Sequence, residues 1–169
     1  MIETEDLILS KAKFSDWPDM YENVWSQWDS AKYMLWSVTT SEEDAKVRME
    51  KTMAFQKNHH ACLVYEKASG KAIGFAGAEE AAPGVWKEIG ICLGPKYVGR
   101  GYGKQILKAL LAYCKETFGA REFLYTARAD NAASNALARS LGFTQVGAEE
   151  EILERDGKAY TFLKYRRFL

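Results

Sequence analysis

Val98-Gly99-Arg100-Gly101-Tyr102-Gly103-Lys104 is the segment of this chain whose residue types and spacing best suit chemistry. Glycines at alternate positions let the main chain approach an anion without interference from Cβ atoms. If a helix follows, its N-terminus and the successive amide protons of the turn point at that anion, with Arg100 and Lys104 beside it. Phosphate or pyrophosphate is the ligand such a turn suits. The same glycines would also serve a tight strand-to-helix connection that binds nothing. Two nucleotide loops fail on the letters. A Walker loop needs a lysine and a hydroxyl directly after its last glycine, but Gly99 is followed by Arg100-Gly101. A dinucleotide fingerprint reads G-x-G-x-x-G, whereas this turn reads G-x-G-x-G.

Other reactive side chains carry less. Cys62, Cys92 and Cys114 have no metal-like or redox-motif spacing, and each sits in an apolar periodic segment. They read as reduced core thiols, not as ligands or nucleophiles. His59 and His60 are adjacent, so on a helix they point in different directions and suit a solvated terminus better than a metal site. No metal is expected.

The elements that must position the glycine turn are legible as changes of period. Thr4 to Ser10 alternates into a strand, and Ser15 to about Gln27 reads as a helix with Pro18 in its first turn. Ser41-Glu42-Glu43-Asp44 resembles a capping box, followed by a stripe of Ala45, Met49 and Met53. Ala61 to Lys67 and Lys71 to Glu79 read as a hairpin about Ala68-Ser69-Gly70. A third strand, Trp86 to Leu93, feeds the glycine turn, and a helix from Gly103 to Phe118 leaves it with Ile106, Leu107, Leu110, Leu111 and Cys114 on one face. A strand at Glu122 to Arg128 and a helix from Ala132 to Leu141 follow, with Gly142 placed to cap the helix. Two last strands, Thr144 to Leu153 and Lys158 to Arg166, meet at Asp156-Gly157. Without repeats or linkers, this order predicts one α/β domain over residues 1–169.

Composition narrows the partners. With 23 basic and 23 acidic residues, no net field favours nucleic acid or an anionic membrane. The opening MIETEDLILS is acidic and lacks a long apolar run, so neither a signal peptide nor a membrane helix is expected, and the cytoplasm is the default compartment.

Gly101-Tyr102-Gly103, between a strand and a helix, resembles the second half of the pyrophosphate motif Q/R-x-x-G-x-G/A of the GNAT (GCN5-related N-acetyltransferase) superfamily. Val98 stands at the Q/R position, a departure that spares the amide cradle. Asn131-Ala-Ala-Ser134 with Leu141-Gly142-Phe143 resembles the second family motif, and Arg139 stands where members often carry a basic residue. The element order is similar over nearly the whole chain. The opening TEDLILSKAKFSDWPDMYENV resembles the branch that acetylates ribosomal-protein N-termini, together with its small-substrate relatives.

The resemblance implies an α/β (α+β) fold with a mixed, mostly antiparallel sheet that splays between the Trp86–Leu93 and Glu122–Arg128 strands. It implies acetyl-CoA as co-substrate, held by Ile91, Cys92 and Leu93 along the pantetheine arm. Gly99, Arg100, Gly101, Tyr102, Gly103 and Lys104 would bind pyrophosphate, and Asn131 and Ser134 would border the other side. Asn131 is equally placed to cap its helix. Glu88, between Lys87 and Ile89 in an otherwise apolar run, stands where the family often has its base; it could also simply face solvent. At Ala138 many members have the tyrosine that protonates the leaving thiol, so no acid is assigned. Trp28, Tyr33 and Trp36, with Trp25 nearby, are aromatics of the helices that overhang the acceptor in this family; at helical spacing they also suit core. The expected activity is direct transfer of acetyl to a primary amine, on a protein N-terminus or a small molecule, by a monomer or homodimer. A coenzyme A-binding sensor on the same fold is the rival.

Overall fold

The computed structural model describes all residues 1–169 as one eight-stranded sheet with helices on both faces. In chain order its elements begin with β1 (Ile2–Glu3), β2 (Leu7–Ser10), α1 (Trp17–Met20, continued as a π-helix over Tyr21–Trp25), α2 (Trp28–Ala31) and α3 (Glu42–Asn58). β3 (His60–Glu66), β4 (Ala72–Ala82), β5 (Val85–Leu93) and α4 (Tyr102–Phe118) follow. β6 (Glu122–Arg128), α5 (Ala132–Ser140), β7 (Thr144–Ile152) and β8 (Ala159–Phe168) complete it. The strand order is β1-β2-β3-β4-β5-β6-β8-β7, antiparallel everywhere except between β5 and β6. Parallel neighbours need a crossover, and α4 supplies it.

Each face of the sheet is closed by its own core. α4 lays Ile106, Leu107, Leu110, Leu111 and Cys114, all buried, against one face, and α5 adds Ala138 and Leu141 beside Phe123 and Tyr165. On the other face Met20, Val24, Ala45 and Met49 pack over Leu63, Ala72 and Cys92. Ser41 caps α3 by accepting the Asp44 amide at 3.1 Å, and Gly119 (φ +66°) closes α4 in the left-handed conformation that glycine tolerates.

The N-terminal third departs from the periodicity. A single strand over Thr4–Ser10 would leave Thr4 paired, but the Thr4 amide bonds Leu7 O at 2.9 Å and its hydroxyl bonds Gln105 Oε1 at 2.6 Å. The chain turns there, so β1 and β2 form a miniature hairpin. The continuous helix expected over Ser15–Gln27 breaks into a 3₁₀ turn, a short α segment and a π turn. The Ser26 amide reaches back five residues to Tyr21 O, and its hydroxyl bonds the same oxygen at 2.7 Å. The widened turn brings the Asn23 amide group to Ala72 O at 2.9 Å. It also presses the Asn23 carbonyl against Gly94, where an added Cβ would lie 2.3 Å away. A helical distortion and one glycine thereby seat the segment that leads into Val98–Lys104.

Asn135 is a second buried anchor. Its Nδ2 donates to Arg128 O at 2.9 Å and Asn131 O at 2.8 Å, and its Oδ1 accepts the Tyr165 hydroxyl at 2.8 Å. This ties α5, the end of β6 and β8 at one point. Asn135→Ala strands these partners in the core, so it should cost about 2–3 kcal/mol in chemical denaturation with an unchanged m-value.

Candidate acetyl-transfer site

β5 and β6 pair only from Val85 to Lys87 with Glu122 to Leu124, then diverge. β6 stays paired to β8 through Arg128 and β5 to β4 through Leu93, so beyond Lys87 their facing edges open as a cleft. The Gly94 amide bonds Ile73 O across β4. By alternation Cys92 directs its main-chain groups towards β4, while Ile91 and Leu93 direct theirs into the cleft. The Leu93 carbonyl also accepts the Ser30 hydroxyl at 3.3 Å. Cys92 is turned away, its thiol buried in the α3-side core.

The cleft leads to the glycine turn. Gly99 (φ +78°) and Gly101 (φ +80°) adopt left-handed backbone, and a Cβ built on either meets nothing within 4 Å. No amide from Gly99 to Gly103 donates within the chain, and the first to do so is Lys104, to Gly101 O at 3.1 Å. Consecutive free amides at the start of a 17-residue helix form a nest for a phosphate group. The cations divide. Lys104 makes no ion pair, whereas Arg100 bends to the buried Glu66 carboxylate at 3.2 Å, where the Tyr102 hydroxyl also donates at 2.9 Å. Tyr102 is therefore a buried prop of the turn, and its contribution to the nest is its backbone amide.

Glu88 lies at the apex of the cleft. Opposite it β4 and β5 slip register: Ala76 faces Ile91 but Ala78 faces Glu88, so β5 carries one extra residue. Gly90 (φ +121°) absorbs that residue, and its amide donates to Glu88 Oε2 at 2.6 Å. Burial pushes the Glu88 carboxyl up from its ordinary range, against the opposing pull of the Gly90 and Thr126 amides and two lysines. A carboxylate desolvated in this way is a stronger proton acceptor than a solvated one.

Across the cleft Tyr125, on β6, shares a 2.6 Å hydrogen bond with Ser134 Oγ of α5. Burial pushes the phenol up to about 12, opposed by the Ser134 bond and reinforced by the charge of Glu88. Tyr125 therefore holds its proton at neutral pH. Ala138, where a family tyrosine would sit, is wholly buried in the same core cluster. Sequence reasoning missed Tyr125: the alternation of Phe123, Tyr125 and Ala127 marks an inward face, but only the packing of α5 brings Ser134 to it. Asn131 caps α5 through the Ser134 amide at 3.1 Å.

The three aromatic candidates separate. Trp28 is 61% exposed. Tyr33 lies beneath Arg128, 5.2 Å from its ring centroid. Trp36 packs on the α3-side core, its ring centroid 4.3 Å from the Arg48 guanidinium.

The elevated Glu88 carboxyl has a consequence for stability. A native state that holds this proton more tightly than the unfolded chain gains stability below the unfolded pKa and loses it as pH rises through the folded one. Glu88→Gln keeps an acceptor for the Gly90 amide and never carries charge. Its melting temperature should match the parent's at pH 4 and exceed it at pH 8, measured by thermal melts at both pH values.

The profile of the acetyltransferase (GNAT) domain matches residues 6–144. The N-alpha-acetyltransferase RimI of Mycobacterium tuberculosis is 33% identical over 113 residues, 64% of this chain and 67% of that protein. Two solved structures share the fold over nearly the whole chain. The Salmonella typhimurium acetyltransferase that modifies the N-terminal serine of a 50S ribosomal subunit protein superposes with a TM-score of 0.79 at 22% identity, covering 98% of this chain and 96% of that one. The microcin self-immunity acetyltransferase MccE, in complex with acetyl-CoA and AMP, superposes at 0.82 and 21% identity, covering 98% and 94%. Cleft, glycine turn and topology agree with these matches, and the chain belongs to the GNAT acetyltransferase family.

Proposed function

We propose that this acetyltransferase transfers acetyl directly from acetyl-CoA to a primary amine in a ternary complex, with Glu88 as proton acceptor. The observation that carries the reading is the half-buried Glu88 carboxylate at the apex of the β5–β6 cleft, bonded to the Gly90 amide. The unpartnered amides of Gly99 to Gly103 fit a pyrophosphate, and the inward main-chain groups of Ile91 and Leu93 fit an extended amide-bearing arm. MccE, which shares the fold, holds acetyl-CoA in its complex. Acetyl-CoA supplies the activated acetyl thioester; the residues of the chain bind it and manage protons.

The acceptor amine must lose a proton before it can attack. At pH 7 a lysine-type amine costs about 4–5 kcal/mol to neutralise and an α-amine about 1 kcal/mol. Glu88, raised by burial, is a base tuned towards neutral pH, and Gly90 fixes its orientation. Tyr125 Oη, protonated and bonded to Ser134 Oγ, holds the proton that a departing thiolate needs. A thiolate leaves tolerably without help, so this acid counts for less than the base. Cys92 and Cys114 are buried with thiols pushed up to about 12, and partial burial raises the Cys62 thiol too, which disfavours an acyl-enzyme. One relative is an N-alpha-acetyltransferase and a neighbour of the same fold modifies the N-terminal serine of a ribosomal protein, which supports an α-amine acceptor here.

Acetyl-CoA turnover with amine acceptors tests both roles. Glu88→Gln should lower kcat by about 10²-fold at pH 7, with a smaller loss at high pH where more of the amine is already neutral. Tyr125→Phe should lower kcat by only about tenfold, at nearly constant KM for the acceptor. Parental rates in Glu88→Gln across the pH range would remove Glu88 from the mechanism.

A further inference from the structure

Between α3 and the sheet lies a cavity of about 280 Å³ whose floor includes Ile89 and Gly90, the residues of the bulge that orients Glu88. Its walls are apolar, with Met20, Trp25, Leu63 and Phe75 among them. Of its 15 lining residues none is Asp or Glu, yet two are cations, Arg48 and Lys51. The cavity thus carries cations but no acid, and its floor adjoins the bulge whose Gly90 amide bonds Glu88, although Glu88 itself does not line it.

Arg48 is only partly satisfied by the chain. Its Nη1 donates to Thr39 Oγ1 at 3.0 Å, its only hydrogen bond within the protein. It makes no ion pair. Burial lowers its pKa to about 10, and the one opposing influence is Cys92, so the guanidinium stays charged at neutral pH without a compensating carboxylate. Its carbon lies 4.8 Å from the Trp25 ring centroid and 4.3 Å from that of Trp36. Stacking between two indoles holds the planar group and leaves its in-plane N–H groups free. Trp36 Nε1 beside it is buried with no hydrogen-bond partner. A structural pillar would explain the stacking. It would not explain why a half-buried guanidinium has a single neutral acceptor and the adjacent indole donor has none, which is costly unless an acceptor binds.

We propose that Arg48 binds a carboxylate of the acceptor, so that the substrate is an amine joined through an apolar stem to a carboxylate. The inference rests on the acetyl-transfer reading, because it places the amine end at the Glu88–Gly90 bulge. The cavity then offers a guanidinium to the carboxylate and apolar walls to the stem, and its floor at Ile89–Gly90 directs the amine end to the bulge whose Gly90 amide bonds Glu88. Exposed Lys51 at the rim adds attraction for the same sign. A free amino acid and a short peptide with an acidic side chain share this chemistry, and the test separates them.

Calorimetry on the protein saturated with coenzyme A would compare leucine and ε-aminocaproate with their carboxamides, and the dipeptide amide Met-Asp with Met-Asn. At least one acid should bind ten or more times more tightly than its neutral counterpart, and which pair shows the preference identifies the source. Arg48→Gln should erase the preference and lower kcat/KM for that acid by about 10²-fold, mostly through KM, while the neutral counterpart changes little. Arg48→Lys should restore part of it. Equal binding of acids and neutral counterparts by the parent protein overturns the proposal, as does an undiminished preference in folded Arg48→Gln. The parent comparison needs no variant, so it decides the matter even where Arg48→Gln does not fold. Selective binding of acids without acetyl transfer would refute the acetyl-transfer reading and leave the carboxylate site standing. Transfer to amines with no preference for acids would do the reverse.

Discussion

The parting of β5 and β6 after three paired residues is the constraint on which the rest of the structure depends. Parallel strands that stayed paired would consume the main-chain groups of Ile91 and Leu93 and close the space before Glu88. An open pair, however, exposes main-chain donors and acceptors in the middle of a sheet, which is costly unless something satisfies them. The fold meets this cost locally: Gly90 gives its amide to Glu88, and Ser30 gives its hydroxyl to the Leu93 carbonyl. What remains unsatisfied is concentrated along the cleft and in the glycine turn at its end.

Holding two strands apart requires rigid walls on both sides. On the β6 side Asn135 and Tyr165 pin α5, and α5 brings Ser134 to Tyr125. On the opposite side two arginines secure the segment after α2. Arg155 donates to Ala31 O at 2.6 Å and Lys32 O at 2.8 Å, and Arg128 donates to Lys32 O at 2.9 Å. Cations suit these carbonyls because they end a helix. The β7–β8 turn and β6 are thereby coupled to the loop that carries Trp36, and Trp36 in turn stacks on Arg48. The β5–β6 cleft and the cavity under α3 meet at the bulge of Ile89–Gly90, which lines the cavity and lies where β5 has parted from β6.

Where local patterning and tertiary packing agree, the sequence is transparent. The Glu122–Arg128 strand, the glycine-led α4 and the Asp156-Gly157 hairpin follow from period, capping and turn chemistry alone. The N-terminal segments were opaque because their geometry answers to distant partners: the π turn of Tyr21–Trp25 is shaped by Ala72 and Gly94, and Thr4 by Gln105. Glu88 could be picked out as a carboxylate in an apolar strand, but its placement depends on a register slip that no pattern of residue types discloses. Tyr125 and Arg48 were missed for the same reason. One stands out only beside Ser134, and the other only once α3 lies over an acid-free cavity. Arg100 depends on the fold in the same way: its guanidinium pairs with a buried carboxylate 34 residues away, while its amide stays free in the turn.

Binding of coenzyme A by the glycine turn is the claim from which everything else follows, and titration calorimetry on Gly103→Val addresses it most directly. An added Cβ at Gly103 meets only Leu137, at 3.5 Å, so the variant should fold as the parent does. Its branched side chain would crowd the free amides at the start of α4. The parent protein should bind one coenzyme A per chain, and folded Gly103→Val should bind it on the order of 10²-fold more weakly. Equal affinity in the two proteins, or no binding by the parent, would contradict the account.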